Sequence, residues 1–189
     1  MNLVSATPTE WVELCLSDFD SFLSDHAACE RKASATGLMF AVRYPDKHEL
    51  VEAMIQHSRE ELMHFHQVWR LMRKRGLSLR PDEKTPYVNQ MLKLIRNGRE
   101  HDLLDRLLVI GIVEMRGHER FLMMGQRHPD QDLRDFYSSL AQAEERHFDL
   151  FERMALLYHP EEVVRSRLEE LLLAESKIIS TVPLRPAVH

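Results

Sequence analysis

Four stretches of this chain repeat apolar residues at alternating steps of four and three, the spacing that turns one face of an α-helix toward the core of a bundle. They run Phe19, Leu23, His26, Glu30, Ala33, Gly37, Phe40; then Leu50, Met54, His57, Glu61, His64, Val68, Leu71; then Leu103, Leu107, Ile110, Glu114, Gly117, Phe121, Met124; and last Leu133, Tyr137, Leu140, Glu144, His147, Phe151, Met154. Each apolar seam carries one glutamate near its middle, and the second and fourth carry a histidine three residues later. An unpaired buried carboxylate costs several kcal/mol even after relaxation, and a whole domain is stable by only ~5–15 kcal/mol. A fold that buries these seams must therefore neutralise four carboxylates at once.

The breakers fall between the seams. With 6 Gly and 8 Pro in 189 residues, the chain favours long helices over many short strands. The first helix runs from Asp18 to Tyr44 and stops at Pro45. Asp46 is the expected N-cap of the second, which ends at about Gly76. The stretch Leu77 to Asn97, with Pro81 and Pro86, reads as a long crossover holding a short helix from Pro86 to Ile95. A third helix is expected from Arg99 to Gln126 and a fourth from Pro129 to Tyr158, where His159-Pro160 breaks it. Lesser helices flank these: Pro8 to Leu16, with Thr7 as cap, and Pro160 to Ile179. The tail Pro183 to His189 reads as loose. The expectation is a single all-α domain over residues 1–189, a four-helix bundle (core 18–158, C-terminal helix 160–179) with one long crossover between its second and third helices.

The glutamates also match in height. Glu30 lies 15 residues before Pro45 and Glu61 lies 16 after it, while Glu114 and Glu144 each lie 15 from Pro129. At ~1.5 Å rise per residue each arm measures roughly 22 Å, so the two carboxylates of a hairpin face each other at one level. The seams offer no Lys or Arg there, so metal is the economical counter-charge. Two divalent ions balance four carboxylates, and His64 and His147 supply one nitrogen to each. Glu30, Glu61, His64, Glu114, Glu144 and His147 are the ligand set of the di-iron and di-manganese carboxylate bundles; the alternative is a set of partly exposed, salt-bridged glutamates. Oxygen-rich donors suit iron or manganese better than zinc, and iron adds redox chemistry with O2.

Other residues near this level have simpler readings beside functional ones. Gly37, Gly111 and Gly117 inside helices, with Ala33, either permit close helix packing or leave a cavity for O2 and substrate. His57 is placed to hydrogen-bond a ligand from behind rather than to bind metal itself, and His118 is either another such residue or a surface one. Cys29 reads as a small buried hydrophobe, and the ten methionines as core filler. Cys15 and Cys29 form no disulfide framework, no basic-then-apolar leader precedes them, and no run approaches a membrane span, so a reducing cytoplasm and no membrane are expected.

The residues around the ligands resemble a known family, the bacterial ferritin-like di-iron tRNA hydroxylases that act on 2-methylthio-N6-isopentenyladenosine beside the anticodon. The resemblance is carried by Asp25-His-Ala-Ala-Cys-Glu-Arg-Lys-Ala33, Ser58-Arg-Glu-Glu-Leu-Met-His-Phe65, Val113-Glu-Met-Arg-Gly-His-Glu-Arg120 and Ala143-Glu-Glu-Arg-His-Phe148, and it covers nearly the whole chain. It implies that the six ligands hold two iron ions joined by a bridging oxo, hydroxo or peroxo group, with O2 as co-substrate and one oxygen atom inserted into the isopentenyl chain. It implies an external two-electron donor, such as a ferredoxin with its reductase, since the chain has no Gly-x-Gly-x-x-Gly fingerprint. A monomer or small homo-oligomer is expected. An iron-storage or peroxide-scavenging protein is the alternative on the metal seam alone. The chain lacks the Cys-x-x-Cys module of a rubrerythrin, it keeps a second Glu-x-x-His that a typical ferritin does not, and no long amphipathic apolar surface helix of a membrane-associated quinone hydroxylase is apparent.

A net charge of −5 argues at first sight against an RNA partner. The charge is uneven. Between Gln67 and Arg99 nine cations (Arg70, Arg73, Lys74, Arg75, Arg80, Lys84, Lys93, Arg96, Arg99) face two acids, Asp82 and Glu83, so this segment carries +7 and the remainder −12. Four of those negative charges belong to the buried glutamates, which two metal ions would cancel. The basic run is either a solvated helix end and crossover or a patch that contacts tRNA phosphates.

Overall fold

Asp18 opens the first long helix as its position predicts, its side chain accepting from the Ser21 N–H. That helix is one of seven, with no strand, among the described residues 3–81 and 85–189 of the computed structural model; the side chains of Arg99 and Glu100 also lie outside the description. The elements are α1 (Thr9–Ser17), α2 (Phe19–Arg43), α3 (His48–Lys74), α4 (Pro86–Leu92), α5 (Arg99–Arg127), α6 (Gln131–Tyr158) and α7 (Glu161–Thr181). The four seams fall on α2, α3, α5 and α6, and all four of their glutamates are buried. At the seam ends the strict 3.5-residue repeat drifts off a 3.6-residue helix. Leu71 and Leu133 are consequently only half-buried, and Met72 takes the buried place near the end of α3.

Three local expectations change. Asp46 does not cap α3: the Pro45-Asp46 turn runs one residue further, and Lys47 is the N-cap without a side-chain hydrogen bond. Thr7 does not cap α1, because its N–H and hydroxyl both donate to the Glu119 carboxylate. The tail is held rather than loose: the Val188 N–H donates to Asp25 Oδ2 at 2.7 Å, and Ala187 and Val188 are buried. The end of α3 follows the sequence. Gly76, at φ 74°, closes it in a Schellman motif, with Gly76 N–H to Arg73 O and Leu77 N–H to Met72 O.

The chain divides into two compact units. One holds the N-terminal residues through Val12 with α4, α5, α6 and α7; the other holds the rest of α1 with α2, α3 and residues 185–188. In the second unit α2 and α3 form a hairpin that is tightly packed at Gly37. A Cβ there would come within 2.2 Å of Ser58 Oγ and 2.9 Å of the Met54 carbonyl, so this glycine serves packing rather than a cavity. In the first unit α5 and α6 form the matching hairpin, with Asp130 capping α6 through the Asp132 and Leu133 N–H groups. Gly111 is again a close-packing position, since a Cβ there would meet Phe151 at 3.1 Å. Among the described residues no helix is long and apolar enough to cross a membrane.

The start of α5 is tied to α7 through Asp105, which is fully buried. It accepts from the Arg96 N–H and guanidinium at 2.8–2.9 Å and from Arg167 at 3.0 Å, while Arg167 also donates to the Leu94 carbonyl. Burial works to raise its pKa, but the hydrogen bonds from Arg96 and Arg167 outweigh it and hold the carboxyl down at about 2. A folded pKa below the unfolded value of about 3.9 gives stability that is present above pH 4 and lost as pH falls toward 2. Asp105→Asn should cost about 1–2 kcal/mol at pH 7, a figure reduced because Arg96 stands partly in water. Denaturant unfolding of both proteins from pH 6 to 2 checks this: the gap should close on acidification, and a constant gap would contradict the pairing.

Candidate metal centre

Two carboxylates and one imidazole meet on the α2–α3 hairpin. Glu30 from α2 and Glu61 and His64 from α3 offer ligand atoms within 4.8 Å of one another, all buried. His64 Nδ1 lies 3.5 Å from Glu61 Oε2 and 3.7 Å from Glu30 Oε2. The three-residue step from Glu61 to His64 is what turns both toward the same side of α3.

Behind this triad stand two more buried histidines. His26 Nε2 is 2.7 Å from Glu30 Oε1, one helical turn earlier on α2. Burial, followed by the neighbouring His64, pushes the His26 pKa down to about 3, so the ring is neutral and donates Nε2–H to Glu30. His57 Nδ1 lies 3.5 Å from Glu61 Oε1, again one turn earlier. The support expected of His57 thus has its counterpart in His26, which the sequence displayed on the first seam at the same four-residue step but which was not singled out.

The α5–α6 hairpin repeats the arrangement. Glu114 from α5 and Glu144 and His147 from α6 offer ligand atoms within 4.8 Å of one another and are buried. His147 Nδ1 stands 3.5 Å from Glu144 Oε2. That carboxylate oxygen is buried and has no hydrogen-bond partner among the described residues. A Cβ on Gly117 would touch the Glu144 carboxylate only at ordinary contact distance, 3.7–3.9 Å, so among the glycines singled out this one leaves room beside a carboxylate. His118, half-buried, donates its Nδ1–H to the Ala141 carbonyl at 2.7 Å, pinning α5 to α6 one turn before Glu144.

The donor set has the chemistry of an iron or manganese site. Each triad is oxygen-rich with a single nitrogen, the composition that disfavours closed zinc coordination. A buried, unsatisfied carboxylate oxygen such as Glu144 Oε2 is costly without a cation near it. Cys29 stays out of this set. Burial, with Asp25 and Glu30 nearby, pushes its thiol well up, and its Sγ–H points to Asp25 Oδ2 at 3.5 Å.

The basic candidates divide by what holds them. Arg70, Arg73, Lys74 and Arg80 are exposed in the α2–α3 unit, with Arg73 over the Trp69 ring. Arg75 is engaged by Asp20 at 2.6 Å and lies over Phe19. Lys93 is exposed in the other unit, where Arg96 is bound to Asp105. Lys84 and the side chain of Arg99, like Asp82 and Glu83, lie outside the described residues.

Over residues 1–189 the sequence matches the family model described as tRNA-(MS[2]IO[6]A)-hydroxylase (MiaE). It is 35% identical over 175 residues to the tRNA 2-(methylsulfanyl)-N(6)-isopentenyladenosine(37) hydroxylase of Pseudomonas putida, covering 93% of this chain and 85% of that protein. The protein of the same name from Salmonella typhimurium is 31% identical over 115 residues, 61% of this chain and 42% of that one. Among solved structures it is similar to "Protein 43 with aldehyde deformylating oxygenase activity from Synechococcus", with a TM-score of 0.93 and 38% identity over 98% of this chain and 92% of that one. The all-α, ferritin-like fold class expected from the sequence accords with that likeness.

Proposed function

The chain belongs to the MiaE family of tRNA-(MS[2]IO[6]A)-hydroxylases, and on that premise we propose that it is an O2-dependent non-haem di-iron monooxygenase that hydroxylates the isopentenyl group of 2-methylthio-N6-isopentenyladenosine in tRNA, beside the anticodon. The observation that carries the reading is the pair of buried triads, two carboxylates and an imidazole on each helical hairpin, in a chain matched to that family over its whole length. Two bound irons supply the chemistry that reduces O2 and takes hydrogen from an unactivated C–H bond.

The protein's own residues set the terms of that chemistry. Glu30, Glu61, His64, Glu114, Glu144 and His147 would hold the two irons. His26 fixes the Glu30 carboxylate by its 2.7 Å hydrogen bond, and the missing side chain at Gly117 leaves space beside Glu144. A buried site keeps bulk water from a strong oxidant. The net reaction takes up O2, two electrons and two protons, places one oxygen in the new alcohol and releases the other as water. The electrons come from a ferredoxin-and-reductase type of donor, because the sequence has no dinucleotide fingerprint. A monomer or small homo-oligomer working in the cytoplasm, where tRNA is, completes the proposal.

The solved relative's aldehyde deformylating oxygenase activity supports a second reading, the same use of O2 on an aldehyde. The family match and both named hydroxylases favour tRNA over it, and over iron storage or peroxide scavenging. Iron-loaded, reduced protein exposed to O2 with tRNA bearing the prenylated nucleoside should add one oxygen to that nucleoside, read by mass analysis. Unchanged tRNA beside turnover of an aldehyde would transfer the assignment to the second reading.

A further inference from the structure

The outer side of α3 carries chemistry that metal binding does not use. Arg59, Leu62, Met63, His66, Trp69 and Arg73 recur at helical steps on the face opposite Glu61 and His64. Leu62 and Met63 are 56% and 53% exposed, and Leu79, beyond the helix end, is 50% exposed. Such a cluster on a surface marks an interaction site more often than a stray apolar residue does. Arg59, Leu62, Met63, Phe65, His66, Trp69 and Leu79 line a cavity of about 660 Å3. Its aromatic wall is ordered: His66 stacks on Trp69 with ring centroids 5.8 Å apart and planes 29° from parallel, and the Arg73 guanidinium sits 5.4 Å from the Trp69 centroid.

Among the described residues, the charged side chain that lines this cavity is a cation. Arg59 lines it, Arg70, Arg73 and Lys74 follow along the helix and Arg80 beyond it, and all are exposed. From Arg59 to Lys74 no Asp or Glu falls on this face of α3. An apolar hollow walled by aromatics, rimmed by cations and roomy enough for a base is complementary to an unstacked base with its flanking phosphates. An acidic protein would satisfy the cations but has no use for the aromatic hollow.

We propose that this cavity on α3 receives an unstacked base of the tRNA's single-stranded loop, a base other than the one hydroxylated, with the flanking arginines on its phosphates. The assignment of a second base follows from geometry, since Glu61 and His64 lie on the opposite side of the helix. The proposal rests on the tRNA reading above.

The test uses the iron-loaded protein and a stem-loop RNA carrying the anticodon loop. The chain has two tryptophans, and Trp11 is 1% exposed, so emission that is quenched on adding RNA reports Trp69. Trp69→Ala should weaken binding by about 10-fold, the loss of one stacked base, with an unchanged salt slope. Arg73→Glu should reduce the salt slope by about one to two, because a phosphate contact is lost and a repulsion added. Trp69→Phe should keep most of the affinity, and iron content and helicity should match wild type in all three. Wild-type affinity in Trp69→Ala overturns the proposal, and so does a Trp69→Ala protein that binds RNA normally but accepts electrons poorly from a ferredoxin. Hydroxylation measured alongside separates the two readings. Turnover with Trp69-independent binding removes the cavity's role alone, whereas Trp69-dependent binding without turnover removes the proposed reaction and leaves the cavity's role standing.

Discussion

Glu144→Gln is expected to weaken iron binding and turnover by at least about 100-fold while making the metal-free protein more stable. Both halves follow from one observation: Glu144 Oε2 is buried without a hydrogen-bond partner among the described residues. Loss of residues that merely orient ligands typically costs 10–100-fold in affinity or activity, so loss of a ligand should cost at least about 100-fold. Without metal the same carboxyl group is desolvated with an oxygen unpartnered among the described residues, and glutamine keeps its shape while removing the acid. The gain is modest, about 1 kcal/mol, because a buried amide still wants partners. For a chain of this size that raises the melting temperature by roughly 2–4 °C. Most substitutions destabilise, so the sign itself is diagnostic. Metal analysis and thermal melts of the chelated proteins read both quantities. A variant that keeps two irons at wild-type turnover, or whose metal-free form melts lower, would sink the ligand assignment.

What could be read in advance was periodic, and what could not was distant. The α2, α3, α5 and α6 helices announce themselves through seams of steps three and four, and the start of α2 and the end of α3 through Asp18 and Gly76. The six ligand candidates were legible because glutamate on an apolar seam contradicts its surroundings, and such contradictions mark function. His26 shared the seam but looked like one more polar interruption; only its 2.7 Å contact with Glu30 distinguishes it. Gly37 and Gly117 read alike in sequence, yet one meets Ser58 and the other the Glu144 carboxylate, because the difference lies in the partner helix. Asp46 and Thr7 had the right chemistry for caps. The backbone lost Asp46 to a turn, and Thr7 to Glu119, 112 residues away.

The strongest case of distance is Arg116, whose replacement by alanine should destabilise the protein by about 3–5 kcal/mol, the usual cost of breaking a buried ion pair from one side. Arg116 and Glu175 are both 0% exposed. Arg116 donates to Glu175 Oε1 at 2.7 and 3.0 Å, to Thr7 Oγ1 at 3.0 Å, to Glu119 at 2.5 Å and to the Ser5 carbonyl at 2.8 Å. Tyr87 adds its hydroxyl to Glu175 at 3.0 Å, and burial followed by Glu175 pushes that phenol far up, so it remains a donor. One guanidinium thereby ties the N-terminal segment and α7 to α5, two residues after Glu114, while Glu175 also takes α4 through Tyr87. Alanine leaves Glu175 as a buried charge facing a void, and the melting temperature should fall by roughly 6–20 °C. The paired change Arg116→Met with Glu175→Leu removes both charges together and should recover most of the loss, since an apolar pair of similar volume is often neutral or better. Lysine at 116 should recover only part, because an ammonium cannot reproduce the five-donor fork that reaches four partners. Chemical unfolding of wild type and the three variants measures these differences. A single Arg116→Ala variant within about 1 kcal/mol of wild type would show that the cluster is not the clamp on α5 that its bonds describe.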